Sequence, residues 1–482
     1  MSKKICYILF IISLILLAYE SKSITLSLYK DPILTSVDTT ETMRNLQFNK
    51  IYINSKIGSN NKIIKFYLRF NEHITYITDN YYSKDESTTY EFTRKGDYIP
   101  TEFQTDDLSS GYESKDILNI NNNILNNFNF ILVNKLNKDD KQFYYPIFGL
   151  NLIGGNNIRP ALYNTNILEQ LKKNNLIERK NFCILENNKD GGSSDAKGEI
   201  IFGELPHENI KKFENFFFDE KNLYWINAEI GEYNLKWKLA FDSINYANNE
   251  LNSLITELII EQEVFTAPYE FKRIIHQNFF EELIKNNICK EEKFYNYRES
   301  FLYYFYNCDS NLDLNQDKYK NHVLKFKSNS LNEIFSFNLN ELFIKNGQKM
   351  YFCIIFDEYQ MHGWRLGNIF FKKYPLIFSL DNKAIGYYSQ NINNIKKPNN
   401  KLVYVLFFLV LILLVILFIG IKKYNLLKKL VPRKLLANEL LDQYSYNSAD
   451  NNNINSPNND TYEATTEMIY QKSENKDNKL GV

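Results

Sequence analysis

An uninterrupted apolar stretch near the C-terminus, Leu402 to Ile421, constrains the topology of this chain more than any other feature. It contains no charged residue and is about as long as a helix must be to cross the hydrocarbon core of a bilayer. A helix buried in a protein core is the alternative, but such helices rarely lack polar positions over this length. Lys422, Lys423 and further basic residues follow, which is typical of the cytosolic side. The sequence therefore predicts a single-pass type I membrane protein with residues 24–400 outside the cytosol.

The N-terminus has the pattern of a secretory signal. Lys3 and Lys4 precede the apolar run Ile5 to Ala18, and small residues around Ser21 and Ser23 are suited to cleavage. The run is short for an uncleaved membrane anchor, which is the alternative. We interpret residues 1–23 as a signal peptide, 24–43 as a leader, 391–401 as a juxtamembrane linker, 402–421 as the transmembrane helix and 422–482 as a disordered cytoplasmic tail. The expected location is the secretory pathway or the cell surface.

Charge and cysteine content narrow the class further. The formal net charge is zero, so nothing in the overall charge favours a nucleic-acid partner. Apart from Cys6 in the signal peptide, the cysteines are Cys183, Cys289, Cys308 and Cys353. All four are predicted on the oxidising side of the membrane, where disulfides form, and three pairings are open to them.

Short segments rich in β-branched and aromatic residues, separated by turn residues, fill residues 44–390. Asn45–Ile53, Phe128–Val133 and Tyr351–Phe356 are examples, whereas helical spacing is found mainly at Ile167–Asn174 and Tyr269–Ile284. The segments divide into two halves of comparable content, residues 44–206 and 207–390. This pattern favours an all-β ectodomain with two lobes and short helices.

Six short motifs follow one another within residues 44–390. They are Ile147-Phe148-Gly149-Leu150, Leu168-Glu169-Gln170-Leu171, Gly198-Glu199-Ile200-Ile201-Phe202-Gly203, Trp237 to Ile244, Trp364 to Phe370 and Leu376 to Tyr387. Their order resembles that of the pepsin-like aspartic peptidases, the eukaryotic aspartyl proteases. Two of them depart from the usual pattern, with Asn368 and Ser379 where the family has Asp. The resemblance implies a divergent, membrane-anchored member with the bilobal fold of that family.

Enzymes of this family use two Asp carboxylates, one on an Asp-Thr/Ser-Gly loop of each lobe, which share a proton and activate water. By this resemblance the first loop falls on Asn71-Glu72-His73 and the second near Glu261-Gln262-Glu263. The Asn71 amide cannot accept a proton as a carboxylate does. The extra methylene of a Glu at position 261 would misplace its carboxylate by about 1 Å, an error that can cost ~10²-fold in rate.

The resemblance also places a cleft-covering hairpin, the flap, at Phe103, where the family usually has Tyr, so the flap hydroxyl is lost. We therefore expect an inactive, peptidase-like protein that binds a peptide or protein in the cleft between its lobes. In the family, extended peptides lie along that cleft under the flap.

Two other functional interpretations stay open. Asp79 also follows a strand, so an active aspartic endopeptidase with divergent motifs, using Asp79 or Glu261, is one alternative. An unrelated all-β receptor ectodomain is the other. A rebuilt polar or metal site at Glu72, His73, Glu261 and Glu263 is disfavoured, because these residues lack the usual spacings of metal ligands. No cofactor or metal is predicted.

The cysteines complete these expectations. The resemblance presents Cys308 and Cys353 as the disulfide pair of the second lobe. Cys183 and Cys289 then either pair with each other or remain free thiols.

Overall fold

Short strands make up most of the computed structural model, which describes residues 22–32, 38–47, 50–70, 72–96, 110–135, 145–152, 164–187, 196–228, 236–296, 301–358 and 363–390. All of these residues belong to one compact unit. The predicted all-β class is confirmed to the extent that strands dominate this part of the chain. Strands such as Val323–Ser328 form because their apolar residues alternate with polar ones, which buries one face and leaves the other in water.

The strands are numbered in chain order. Up to residue 227 they are β1 (Ile24–Lys30), β2 (Ile51–Ile57), β3 (Lys62–Arg69), β4 (Tyr76–Thr78), β5 (Glu91–Gly96), β6 (Ser110–Ile120), β7 (Asn123–Lys135), β8 (Ile147–Gly149), β9 (Asn181–Glu186), β10 (Gly198–Phe202), β11 (Lys212–Phe213), β12 (Phe216–Phe217) and β13 (Leu223–Asn227). Beyond residue 227 they are β14 (Lys238–Tyr246), β15 (Asn249–Leu258), β16 (Phe265–Pro268), β17 (Cys289–Asn296), β18 (Phe301–Asp309), β19 (Val323–Ser328), β20 (Glu333–Asn338), β21 (Phe343–Asn346), β22 (Lys349–Phe352), β23 (Ile354–Asp357), β24 (Arg365–Leu366), β25 (Ile377–Ser379) and β26 (Ala384–Tyr388).

The helices are short. They are α1 (Thr39–Gln47), α2 (Ile167–Lys173), α3 (Pro206–Asn209), α4 (Tyr269–Ile275), α5 (Glu281–Lys285) and α6 (Asn368–Lys373). The helix predicted over Tyr269–Ile284 is present as α4 and α5, joined by a π-helical turn at His276–Phe280. The helix predicted from Ile167 is α2.

Two large sheets organise these strands. The first runs in the order β13-β26-β25-β9-β10-β1-β2-β3-β8-β4-β7-β6-β5, and the second in the order β20-β19-β14-β15-β24-β16-β23-β18-β22-β21. Strands β13, β25 and β26 come from beyond residue 207 yet join the sheet that contains the strands of the first half. The two predicted lobes therefore share backbone hydrogen bonds as well as a chain connection.

The same arrangement of four strands occurs twice. In the first half, β8 pairs parallel with β3 and antiparallel with β4, and β4 pairs parallel with β7. In the second half, β24 pairs parallel with β15 and antiparallel with β16, and β16 pairs parallel with β23. The loop from β3 to β4 is thus equivalent to the loop from β15 to β16. These are the two loops to which the sequence assigned the catalytic positions.

The segment interpreted as a leader, residues 24–43, contributes to both the sheet and the helices. Strand β1 lies between β10 and β2, and its residues Ile24, Leu26 and Leu28 are buried. Helix α1 follows, with Met43 and Leu46 buried. A strand buried in this way is part of the folded unit, because removing it would expose its apolar side chains and leave the edge of β10 unpaired.

The predicted disulfide between Cys308 and Cys353 is wrong. Cys308 instead bonds to Cys289, with sulfur atoms 2.01 Å apart. Strands β17 and β18 form an antiparallel pair in which Cys289 lies directly opposite Cys308, so the two Cβ atoms meet across the ladder. Cys183 and Cys353 are buried free thiols.

Within the described residues, no helix is both long and apolar enough to cross a membrane. The predicted transmembrane segment 402–421 and the tail 422–482 lie outside the described residues.

Candidate functional site

The first candidate loop connects β3 to β4 and spans residues 70–75. Asn71 lies outside the described residues, whereas Glu72 is buried and His73 is partly buried. The loop is held by its backbone, because the Asn151 N–H donates to the Glu72 carbonyl at 2.8 Å. The buried Asn166 side chain donates to the His73 carbonyl at 2.9 Å. The shape of this loop is thus fixed by residues that follow β8 and precede α2.

Asn166 has two structural tasks at once. Its Oδ1 accepts from the Leu168 and Glu169 backbone N–H groups and so caps helix α2, while its Nδ2 holds the first loop through His73. A capping Asn stabilises a helix because it satisfies N–H groups that have no partner within the helix. This residue therefore couples the start of α2 to the first candidate loop.

Replacing Asn166 by Ala is expected to lower the free energy of unfolding by about 2 kcal/mol, since it removes the cap and leaves a buried carbonyl unpaired. Asn166→Asp should recover part of this loss, because a carboxylate still caps α2 but cannot donate to His73. Chemical denaturation of the purified full-length variants measures both. The control is Asn278→Ala, which removes an exposed hydrogen bond and should change stability by less than about 0.5 kcal/mol. Full recovery of stability in the Asp variant would contradict the proposed donation to the loop, and equal losses in the Ala and Asp variants would contradict the stabilising role of the cap.

The second candidate loop connects β15 to β16 and contains Glu261, Gln262 and Glu263, all buried. The Glu261 carboxylate crosses to the first loop, where its Oε1 accepts the backbone N–H of Phe70 at 2.8 Å. The structure therefore brings the two predicted loops together. The contact between the two loops is the hydrogen bond from the Phe70 backbone N–H to the Glu261 carboxylate.

Glu263 is the centre of a buried charge cluster. Its carboxylate receives Lys30 Nζ at 2.5 Å, Lys372 Nζ at 2.8 Å and Asn368 Nδ2 at 3.2 Å. Asn368 Nδ2 also donates to Glu186 at 3.0 Å. The cluster connects the second loop to strand β1, strand β9 and helix α6, and we call these five residues the Glu263 cluster.

The pKa values of the two carboxylates in the Glu263 cluster are shifted in opposite directions. Burial alone would raise the pKa of Glu263, but the nearby ammonium groups of Lys30 and Lys372 outweigh it and hold that pKa well below its usual range. Glu186 has weaker partners, so burial raises its pKa. The attraction of Glu263 raises the pKa of Lys372. Glu263 is therefore a structural carboxylate that is ionised at neutral pH.

His73 is electrostatically isolated. Burial lowers its pKa, which favours the neutral imidazole at neutral pH. Its Nε2 has no hydrogen-bond partner among the residues that the structure describes. Within the same residues, no group of three or more His, Cys, Asp or Glu is arranged to hold a metal ion.

Helix α1 lies directly against the second loop. The Leu46 carbonyl, in the last turn of the helix, accepts the backbone N–H of Glu263 at 3.1 Å. Gln47 at the end of the same helix accepts from Asn296 of β17 at 3.3 Å. One side of the Glu261–Glu263 segment is thus covered by a helix of the chain itself.

Of the other predicted site residues, Asp79 lies away from the two candidate loops and Phe103 lies outside the described residues. Asp79 is exposed in the turn after β4, where its backbone N–H donates to the Val133 carbonyl, and it lies beyond the loop that contacts Glu261. Phe103 of the predicted flap is outside the described residues. Strands β5 and β6 lead into and out of that segment and pair with each other.

Sequence reasoning missed most of the Glu263 cluster. Lys30, Glu186 and Lys372 are far from Glu263 in the chain and carry no motif, so no local pattern points to them. Asn166 was detectable, because an Asn immediately before an apolar helical segment is a typical N-cap.

Comparison with known proteins agrees with this architecture. A family model described as eukaryotic aspartyl protease matches residues 71–390, about two thirds of the chain. No curated protein gives a significant match. The matched region begins at the first candidate loop and ends at the last described residue.

Proposed function

Because the chain belongs to the eukaryotic aspartyl protease family, we propose that it is a membrane-tethered member that cleaves no peptides and instead binds a peptide or protein in the cleft between its lobes. Family membership excludes the alternative of an unrelated all-β receptor ectodomain. The observation that carries the proposal is the state of the second loop, where Glu261 and Glu263 both serve as structural acceptors.

The chemistry of the family supports inactivity. Hydrolysis needs two carboxylates close together that share one proton, so that one acts as base and the other as acid. Residue 71 is an Asn, which has an amide in place of a carboxylate. One carboxylate oxygen of Glu261 accepts a hydrogen bond from the Phe70 backbone N–H. Glu263 cannot replace the missing acid, because its two lysine partners keep it ionised. Glu261 and Glu263 are therefore both engaged in structural contacts.

The scaffold that supports peptide binding is nevertheless retained. Both loops are closely approached by a glycine of the returning strand, Gly149 in the first half and Gly367 in the second. The four-strand arrangement around each loop is complete. A fold that keeps its loop geometry while losing its acid–base pair is suited to binding without turnover.

Membrane tethering and location belong to the same proposal. The apolar segment Leu402–Ile421, followed by basic residues, supports a single-pass type I orientation. The disulfide between Cys289 and Cys308 is consistent with an oxidising compartment, the secretory pathway or the cell surface.

The test is an activity and binding assay on the full-length protein in detergent. Incubation with denatured protein substrates at acidic pH, with and without a statine-type inhibitor, should give no inhibitor-sensitive cleavage, whereas an active pepsin-like enzyme in parallel should give it. Fluorescence anisotropy with extended peptides should detect binding that the inhibitor competes away.

Inhibitor-sensitive cleavage would show instead that the chain is an active endopeptidase, and cleavage lost in Glu261→Ala or Asp79→Ala would assign the carboxylate. Absence of both cleavage and peptide binding would leave inactivity standing and exclude the peptide ligand.

A further inference from the structure

The last described residue of the chain is fastened to a small hairpin. Gln390 accepts the backbone N–H of Phe217 through its Oε1 and donates to the Phe217 carbonyl through its Nε2, both at 3.2 Å. Strands β11 and β12 form this hairpin. Gln390 lies twelve residues before the predicted transmembrane segment and is fixed beside Phe217; we call its position the exit point.

Large apolar side chains are exposed around this exit point. Phe217 is 51% exposed and Trp225, on the edge strand β13, is 37% exposed. Ile334 is 47% exposed and follows Glu333, whose carboxylate accepts the Gln390 backbone N–H at 3.0 Å. Lys212 lies over the Phe217 ring, with its Nζ 5.2 Å from the ring centre. We call Phe217, Trp225 and Ile334 the exit patch.

The face of the first sheet that carries Trp225, and against which the hairpin of Phe217 packs, points away from the candidate site. Along β9, Phe182 packs against Phe70 beside the first loop, with ring centres 5.6 Å apart. The next residue, Cys183, points to the opposite face and packs in a separate cluster with Phe218 and Tyr388. The hairpin residues Phe213 and Phe216 also contact that cluster.

Trp225 belongs to this same opposite face. It lies opposite Gly386 in the pairing of β13 with β26, and its ring covers that glycine. Gly386 and Tyr388 point to one side of β26 because side chains alternate along a strand. The Trp225 ring is therefore on the face against which the β11–β12 hairpin packs, and Gln390 is hydrogen-bonded to that hairpin.

The covalent link limits what can approach this face. Residues 391–401 number eleven, and a chain of that length spans at most about 36–40 Å when fully extended. A bilayer that holds residues 402–421 is consequently never far from the exit patch, and its effective concentration there is high.

We propose that the exit patch docks onto the surface of the bilayer that the chain itself spans, so that the candidate site faces away from the membrane. This inference rests on the membrane tethering in the proposed function. Phe and Trp rings favour the interfacial layer of a bilayer, and a lysine beside them can reach the headgroups. The exposed charges nearby are mixed, with Lys211, Lys212 and Lys221 beside Glu214, Asp219 and Glu220. Docking should therefore depend on apolar insertion and only slightly on salt.

The three tryptophans of the chain provide a direct readout, because Trp237 and Trp364 are fully buried and only Trp225 is exposed. The full-length protein is placed in phosphatidylcholine nanodiscs whose lipids carry bromine atoms, which quench tryptophan, near the glycerol end of the acyl chains. The tryptophan emission of the protein should be lower in these nanodiscs than in unbrominated ones. Trp225→Phe should abolish the difference, and Phe217→Ser should reduce it by loosening the contact. The matched control is Phe92→Ser, since Phe92 is 57% exposed on β5 at the other edge of the same sheet and its loss should leave the quenching unchanged.

The outcomes separate this inference from the proposal on which it rests. Protein that stays in nanodiscs after alkaline carbonate treatment but shows no bromine quenching is tethered without docking, which overturns the inference alone. Quenching that persists in Trp225→Phe would come from another residue and also overturns it. Protein that is not retained in lipid at all overturns both the tether and the docking.

Discussion

Glu263→Gln is expected to lower the free energy of unfolding by about 3–5 kcal/mol, because it removes the charge that two lysines share inside the protein. The Glu263 side chain is only 1% exposed and its two ion pairs hold β1, the second loop and α6 together. An amide keeps the shape of the carboxylate but leaves Lys30 and Lys372 without a full negative partner. Breaking a buried pair in this way costs more than the pair itself contributes, since the remaining charge stays desolvated. Chemical denaturation of the full-length protein in detergent gives the difference.

The control for this variant is Glu281→Gln, which removes the charge of an exposed carboxylate bonded to Lys285 on the same helix. Exposed pairs of this kind contribute less than about 1 kcal/mol because water and salt screen them. If both Gln variants lost stability equally, the Glu263 cluster would have no special role.

The pH dependence of the same cluster follows from the signs of its pKa shifts. The pKa of Glu263 is lowered in the folded state, so its stabilising effect is present above the unfolded pKa of about 4.3 and is lost as the pH falls through the folded pKa. The stability difference between the parent and Glu263→Gln should shrink in acid. Glu186 is the opposite case, because its pKa is raised and the charged form is disfavoured in the fold. Glu186→Gln should therefore leave stability at neutral pH unchanged or higher, and a loss there as large as that of Glu263→Gln would contradict the assignment.

The parts of the fold that sequence analysis predicted correctly depend on local pattern. The β-branched and aromatic run Phe128–Val133 of β7, the helical spacing in α2 and the turn residues between short strands are properties of neighbouring residues, so each can be predicted from its own segment. Helix α1 was missed because its contacts are with distant elements. Leu46 bonds to Glu263 and Gln47 to Asn296, and neither partner is visible from the helix sequence.

The predictions that failed concern contacts between segments that are distant in the sequence. The disulfide was assigned by resemblance to Cys308 and Cys353, yet the register of β17 against β18 places Cys289 opposite Cys308. The candidate site shows the same limit. Motif order indicated both loops as candidates, but the contact of Glu261 with Phe70 and the pairing of Glu263 with Lys30 arise only when the strands assemble.

Gly367→Ala is expected to destabilise the protein by more than about 3 kcal/mol, because a methyl group at this position has no room. A Cβ on Gly367 would lie 2.2 Å from the Val264 carbonyl oxygen and 2.7 Å from that of Gln262. Both oxygens belong to the backbone of the second loop, so no side-chain rotation relieves the clash. The loop itself would have to move, and with it the hydrogen bond from the Asn368 backbone N–H to the Gln262 carbonyl.

The matched control is Gly363→Ala, whose Cβ would meet only the Ile255 carbonyl oxygen at 3.2 Å, a contact that a small shift of the chain relieves. Thermal unfolding and the yield of folded full-length protein compare the two, since the Gly367 variant is expected to fold poorly. Gly149→Ala tests the repeat, because its Cβ would lie 2.5 Å from the Ile74 carbonyl oxygen of the first loop. Comparable losses at Gly149 and Gly367 would mean that both loops are held by the same close approach of a glycine. A Gly367 variant as stable as the Gly363 control would mean instead that the second loop is free to rearrange, and the argument for a preserved binding scaffold would fail there.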